Sequence, residues 1–303
     1  MNAPPFRARF LGPRYWPSWL GLALLRLLCL LPLPLALAMG ERLGTWAGRL
    51  APGRRHVVRV NLQLCFPELD AAAREKLVDE HFRALGAGVI EAGLAWWASD
   101  ASLSKYGEVA GLEHLDAAMA AGGALLLTGH FTTLELGGRF IALAQRPFHA
   151  MYRPYNNGLV DYFMHRWRQA RSRLPALPRD DLRALVRALR EGRAIWYAPD
   201  QTLDSRHSVF APFFSVPTLT ITATSRLARM GRARVVPYFP QRVGGRYRVT
   251  FYPALENFPT EDEAADAARV NHAIEQGIRQ APAQYFWVHR RFKARPPGAP
   301  AVY

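Results

Sequence analysis

From about residue 107 onward, short apolar runs alternate with longer amphipathic stretches, and this alternation constrains the fold more than any other feature of the 303-residue chain. Gly123-Ala-Leu-Leu-Leu-Thr128, Phe148-His-Ala-Met-Tyr152, Ala194-Ile-Trp-Tyr-Ala198, Ala233-Arg-Val-Val-Pro-Tyr-Phe239 and Arg246-Tyr-Arg-Val-Thr-Phe-Tyr252 have the length and apolar content of strands. Helical spacing predicts helices near 112–121, 134–145, 158–172, 181–191 and 219–231, and an earlier one over 71–99 with Leu77, Val78, Phe82 and Leu85 on one face. Residues 57–69 read as mixed. Gly244-Gly245 between the last two strands is a hairpin signal. A final helix is expected from Thr260, its hydroxyl capping and Glu263 reaching back. Apolar strands separated by helices belong to a buried sheet, so the expected fold is α/β, with a mixed, largely parallel sheet flanked by helices.

The first 60 residues differ from the rest. They hold nine arginines and one acid, Glu41, and they enclose the apolar run Trp16–Met39. That run is long enough to cross a bilayer, and Trp16 and Trp19 mark one edge as an interfacial belt would. The expectation is an N-terminal basic segment with a membrane-anchor helix over 1–40, followed by one folded domain over 41–303. Arg26 is costly at a bilayer centre and Pro32 and Pro34 would kink the helix, so part of the run is expected in the interface. Thirty-nine Lys+Arg against 24 Asp+Glu leave a net charge of +15, which favours anionic partners. Only three of those cations are lysines, so part of the excess reflects an arginine bias in composition.

Several chemistries are excluded. No G-x-S-x-G elbow and no P-loop occur in the sequence, and Gly86-Ala-Gly88-Val-Ile-Glu91 lacks both the third glycine and the preceding strand of a dinucleotide fingerprint. No histidine pair has zincin spacing, and Cys29 and Cys65 make neither a disulfide framework nor a metal motif. What stands out is Thr128-Gly129-His130-Phe-Thr-Thr-Leu-Glu135 directly after an apolar run, because ligands of open α/β sheets bind beyond the carboxyl ends of strands. Within one helix, His130 and Glu135 would lie about 140° apart. They can meet if His130 is in the loop and Glu135 in the first turns of the next helix, where the carboxylate would orient the imidazole. The alternative is a capping histidine with a solvated glutamate. Arg153, Arg166, Arg168, Arg171 and Arg173 could clamp phosphates, or simply form a solvated face. Asp200 closes another buried strand at its carboxyl edge, as a site residue or as a turn aspartate.

Taken together, Asn61-Leu-Gln-Leu-Cys-Phe-Pro-Glu-Leu69, Gly129–Glu135, Tyr152-Arg-Pro154, Ile195-Trp-Tyr-Ala-Pro-Asp200, Ser208-Val-Phe-Ala-Pro-Phe-Phe214 and Gln284–Pro297 resemble the lipid A biosynthesis lauroyl acyltransferases, within the lysophospholipid acyltransferase-like superfamily. The resemblance implies transfer of an acyl chain from acyl carrier protein to a hydroxyl of the Kdo(2)-lipid IV(A) precursor, at the cytoplasmic face of the inner membrane. It implies no cofactor or metal. Carried over by position, His130 is the general base with Glu135 as its partner, Asp200 is the functional aspartate, and the functional arginine falls on Arg168 or Arg171. Arg153 and these groups would hold the anionic acceptor. Arg290, Arg291, Lys293 and Arg295 would offer the carrier protein a basic surface. Competing readings are another acyl chain or a glycerolipid acceptor, a membrane scaffold, and a nucleic-acid-binding protein, the last without any RRM, KH or helix-turn-helix signal.

Overall fold

The computed structural model describes residues 5–202 and 207–303. Its N-terminal part is helical: α1 (Trp16–Leu28), α2 (Leu33–Leu50), α3 (Pro52–Cys65), α4 (Ala71–Trp97) and the short α5 (Asp100–Leu103). Strands and helices then alternate through β1 (Gly107–Ala110), α6 (Leu112–Ala120), β2 (Ala124–Leu127), α7 (Leu134–Leu143), β3 (Phe148–Tyr152), α8 (Gly158–Ser172), β4 (Leu177–Pro178), α9 (Leu182–Arg190) and β5 (Ala194–Tyr197). The chain closes with β6 (Ser208–Phe213), β7 (Val216–Ile221), α10 (Ala223–Gly231), β8 (Arg234–Val243), β9 (Arg246–Phe251) and α11 (Glu263–Gln280).

Seven strands form one sheet in the order β1-β9-β8-β2-β5-β3-β4, and every pairing is parallel except β8–β9. The predicted α/β class is the observed one. Central β2 explains why: all four of its side chains are buried. Leu125 and Leu127 pack with Leu185, Leu189 and Ile274 on one face, while Ala124 and Leu126 pack with Leu136 and Phe140 on the other. A strand covered on both faces reads as a continuous apolar run. Gly244 and Gly245 both take positive φ, +56° and +77°, as a two-residue turn between twisted strands requires.

Four N- and C-terminal features depart from the sequence expectation. The apolar run Trp16–Met39 is two helices, because Pro32 caps α2 and the chain turns after Cys29. At 1.5 Å per residue the 13-residue α1 is about 20 Å long, short of a bilayer core of about 30 Å. Among the described residues no helix is long and apolar enough to cross a membrane. The mixed segment 57–69 belongs largely to α3. The stretch 219–231 begins in the hairpin β6–β7 and becomes helical only at Ala223. Asp262, not Thr260, caps the last helix, accepting from the Ala264 and Ala265 amides at 2.9 Å each. The Thr260 amide instead donates to Asp266.

α1 and α2 are docked on the domain. Gly40, Gly44 and Gly48 face α4 one turn apart, and a Cβ on Gly44 would stand 2.1 Å from the Phe82 carbonyl oxygen. The two backbones therefore touch, and α2 runs through residue 40, where the anchor was expected to end. Trp19 meets Phe163 edge-on at 5.4 Å, and the exposed Arg26 lies over the Trp97 ring at 5.6 Å. The opposite face of α1 carries Trp16, Leu20, Leu24 and Leu27 in an exposed stripe with helical spacing.

Candidate active site

β2 and β5 are neighbours in parallel register, Leu127 opposite Tyr197. His130 and Asp200 each follow three residues later, so the offset of 70 that pairs the strands also pairs these two side chains. His130 Nδ1 lies 2.5 Å from Asp200 Oδ1, and the His130 backbone N–H donates to Asp200 Oδ2 at 2.8 Å. A carboxylate only accepts, so Nδ1 carries the proton and Nε2 presents its lone pair. The ring is part-exposed while Asp200 is buried.

The electrostatics follow from that placement. Burial disfavours the imidazolium, but the charge and hydrogen bond of Asp200 outweigh it and raise the His130 pKa above its ordinary value, with Arg168 opposing. Burial would likewise push Asp200 up; the facing imidazolium, both bonds from His130 and the Tyr285 hydroxyl overcome it and hold the carboxyl at about 2. His289 is different. Burial brings it down to about 4 despite Asp200, and its Nε2 accepts from the Thr202 amide at 3.2 Å, so it is a neutral structural acceptor.

His130 opens onto an irregular cleft of about 800 Å³ whose lining includes Glu135, Met151, Arg153, Arg168 and Trp196. As expected, His130 lies in the loop after β2 and Glu135 in the first turn of α7, but the two do not pair. Beyond His130 the chain pairs briefly with the C-terminal strip before turning into α7: Phe131 bridges to Tyr285, Thr132 N–H donates to the Gln284 carbonyl at 2.7 Å, and Phe286 N–H donates to the His130 carbonyl at 2.9 Å. That short pairing turns the imidazole toward β5. Glu135 instead meets α8, where Arg168 Nε donates to its two oxygens at 3.1 and 3.2 Å and Nη2 closes a fork. Burial lowers the Arg168 pKa, but the Glu135 charge and hydrogen bonds more than offset it, so the net shift is upward.

Of the two arginines left open by the sequence, Arg168 is in the cleft. Arg171 donates to the Trp96 carbonyl at 3.2 and 2.8 Å and faces Asp100, tying α8 to the end of α4. Arg153 is exposed on the cleft wall. Arg291, expected on a carrier-docking surface, is buried and donates to the Thr202 hydroxyl at 3.2 Å and the Leu219 carbonyl at 2.8 Å. Arg290 and Lys293 remain exposed.

Residues 3–294 match the model of the bacterial lipid A biosynthesis acyltransferases. The chain belongs to that family. It is 41% identical over 306 residues to the lipid A biosynthesis lauroyltransferase of Escherichia coli (strain K12), covering 100% of this chain and 99% of that one. It is also 41% identical over 302 residues to the lipid A biosynthesis palmitoleoyltransferase of the same organism, covering 98% of each. Among solved structures, the 1-acyl-sn-glycerophosphate (LPA) acyltransferase PlsC from Thermotoga maritima aligns with 80% of this chain and 98% of its own at 12% identity and a TM-score of 0.39.

Within this lipid A acyltransferase the blocks that carried the resemblance converge on one place. Buried Asn61 Nδ2 donates to the carbonyls of Trp287 at 2.6 Å and His289 at 2.9 Å. The Thr202 hydroxyl donates to the Arg291 carbonyl at 2.6 Å. These bonds fix the Tyr285–Arg291 strip that pairs with the backbone of His130. Asn61, Tyr285 and Thr202 thus support the site without sequence spacing to announce them. The only sequence signal for Asn61 and Tyr285 is membership of those motif blocks, and Thr202 lies just past the block that ends at Asp200.

Proposed function

We propose that the protein transfers a fatty acyl chain, lauroyl, from acyl carrier protein to a hydroxyl of Kdo(2)-lipid IV(A). The observation that carries this reading is His130 itself: an imidazole fixed by Asp200 through Nδ1, with Nε2 left for a cleft that also holds Arg153 and Arg168. In the proposed step Nε2 takes the acceptor hydroxyl's proton as its oxygen bonds to the thioester carbonyl. Collapse of the tetrahedral adduct breaks the carbon–sulfur bond, and the imidazolium returns the proton to the carrier's thiolate. A thioester needs no enzyme nucleophile for this, and neither a serine nor a cysteine is among the described residues lining the cleft. Asp200 fixes the tautomer and stabilises the transient imidazolium. Glu135 acts one step removed, aiming the Arg168 guanidinium at substrate anionic groups. Lauroyl is the donor chain named for the relative that spans this whole chain.

The location follows from the same proposal. The stripe Trp16, Leu20, Leu24 and Leu27 with Leu35, Leu43 and Trp46 makes the α1–α2 pair an interfacial wedge rather than a span, with the surrounding arginines on anionic headgroups of the inner membrane's cytoplasmic face. The test is reconstitution of purified protein with lauroyl, myristoyl and palmitoleoyl carrier thioesters and the precursor, reading product mass. A precursor left unacylated by all three donors would overturn the proposal.

A further inference from the structure

A second groove, of about 700 Å³, runs between the α1–α2 pair and α4, walled by Leu24 and Leu28, by Leu43 and Ala47, and by Leu85 and Val89. It is not isolated. Leu25, Leu85, Val89 and Phe286 line both this groove and the cleft holding His130. Phe286, exposed at the boundary, is bonded through its amide to the His130 carbonyl, so the junction lies one residue's reach from the proposed base. At the far end, Ala51 and Arg54 pass from the groove into a recess that Arg290 closes. The apolar channel therefore joins a reactive histidine at one end to two exposed arginines at the other.

We infer that this groove receives an acyl chain already carried by the acceptor lipid. Apolar walls along its length match a hydrocarbon chain rather than a sugar. The choice between acceptor and donor chain follows from the rim. Leu24, Leu43 and Val89 are exposed and belong to the same apolar face as the α1 stripe, so the groove opens toward a lipid phase. A donor chain arrives on a water-soluble carrier; a lipid acceptor's chains are already in that phase. Seating one chain here would place the acceptor's headgroup across the junction at Phe286, beside Nε2.

This inference rests on the proposed acyl transfer, and the test separates the two. Ala47→Phe on α2 and Leu28→Trp on α1 each fill the groove from a different wall, and neither residue lines the cleft that holds His130, with folding checked by thermal melting in detergent. Binding and turnover are measured with the intact precursor and with the same precursor stripped of its ester-linked chains. Both variants are expected to raise Kd and KM for the intact precursor about tenfold, the effect of losing roughly two buried methylenes. KM for the carrier thioester and for the stripped precursor should stay at the wild-type value. Unchanged Kd for the intact precursor in both folded variants overturns the inference, as does a rise confined to the donor's KM, which would make the groove the donor's. Loss of vesicle binding with unchanged precursor Kd in micelles also overturns it, in favour of a bilayer lipid. A wild-type protein that binds the precursor without acylating it refutes the proposed activity, and the binding comparison still decides the groove.

Discussion

Asp200→Asn is the most discriminating single change at the site. The wild-type carboxylate serves two donors, the His130 backbone N–H at 2.8 Å and Nδ1–H at 2.5 Å, each on its own oxygen. An asparagine has one acceptor oxygen and one NH₂ group. The backbone donor cannot change its protonation, whereas the neutral ring can, so the amide oxygen is taken by the backbone and the NH₂ faces Nδ1. The ring proton then moves to Nε2, where the base is needed. Loss of tautomer control of this kind costs about 10⁴ in kcat in a comparable triad, and loss of general-base catalysis at least about 10². A second effect distinguishes positioning from mere structure. Asp200 raises the His130 pKa against burial and Arg168, so without it those two remain and the acid limb of kcat should move to lower pH. In the wild type, activity should fall as pH drops through a value above the ordinary 6.5 of an imidazole. The assay is the pH dependence of single-turnover transfer, with melting to confirm the fold. A folded Asp200→Asn protein within tenfold of wild-type rate, with its acid limb unmoved, would refute the orientation of His130 by Asp200.

Three further outcomes are expected. Gly44→Leu should lower stability by about 1–3 kcal/mol or more, because a Cβ there meets the Phe82 carbonyl at 2.1 Å, whereas Gly21→Ala, with nothing within 4 Å, should gain up to about 1 kcal/mol; melting temperatures check both. Fully buried His81 has its pKa lowered by burial from 6.5 to about 4, so the unfolded chain binds a proton that the folded one refuses in that window. Stability should fall as pH drops from 6.5 to 4, by about 3 kcal/mol from this residue, and denaturant titrations should show a shallower slope in His81→Asn. Glu135→Gln should reduce transfer by weakening the fork that aims Arg168, with a larger effect on acceptor KM than on the acid limb.

What could be read from the sequence was mostly local. β3 and α8 begin and end where the apolar pattern places them, and Gly244-Gly245 marks its turn, because strand burial, helix amphipathy and turn geometry each act within a few residues. The hairpin β6–β7 escaped because Pro212 and Pro217 interrupt it and its second strand runs straight into α10. The glycine face of α2 escaped because closeness to α4 is a tertiary fact. At the site, His130, Glu135, Arg168 and Asp200 could all be picked out, yet their partners were exchanged. A spacing of five suggested His130 with Glu135, while the sheet register joins His130 to a residue 70 positions on and the α7–α8 packing gives Glu135 to Arg168. Register between distant strands leaves no local trace.

The central claim is that His130 Nε2 deprotonates the acceptor hydroxyl for direct transfer from the carrier thioester. The measurement that bears on it most directly is single-turnover acylation of the lipid A precursor by wild type and His130→Ala, followed by mass spectrometry of both lipid and protein. The expected result is one added acyl chain on the lipid with wild type, no acyl-protein adduct at any time point, and transfer reduced by at least about 10² in the folded variant. A folded His130→Ala protein retaining a tenth of the wild-type rate, or an acylated protein on the path to product, would contradict it.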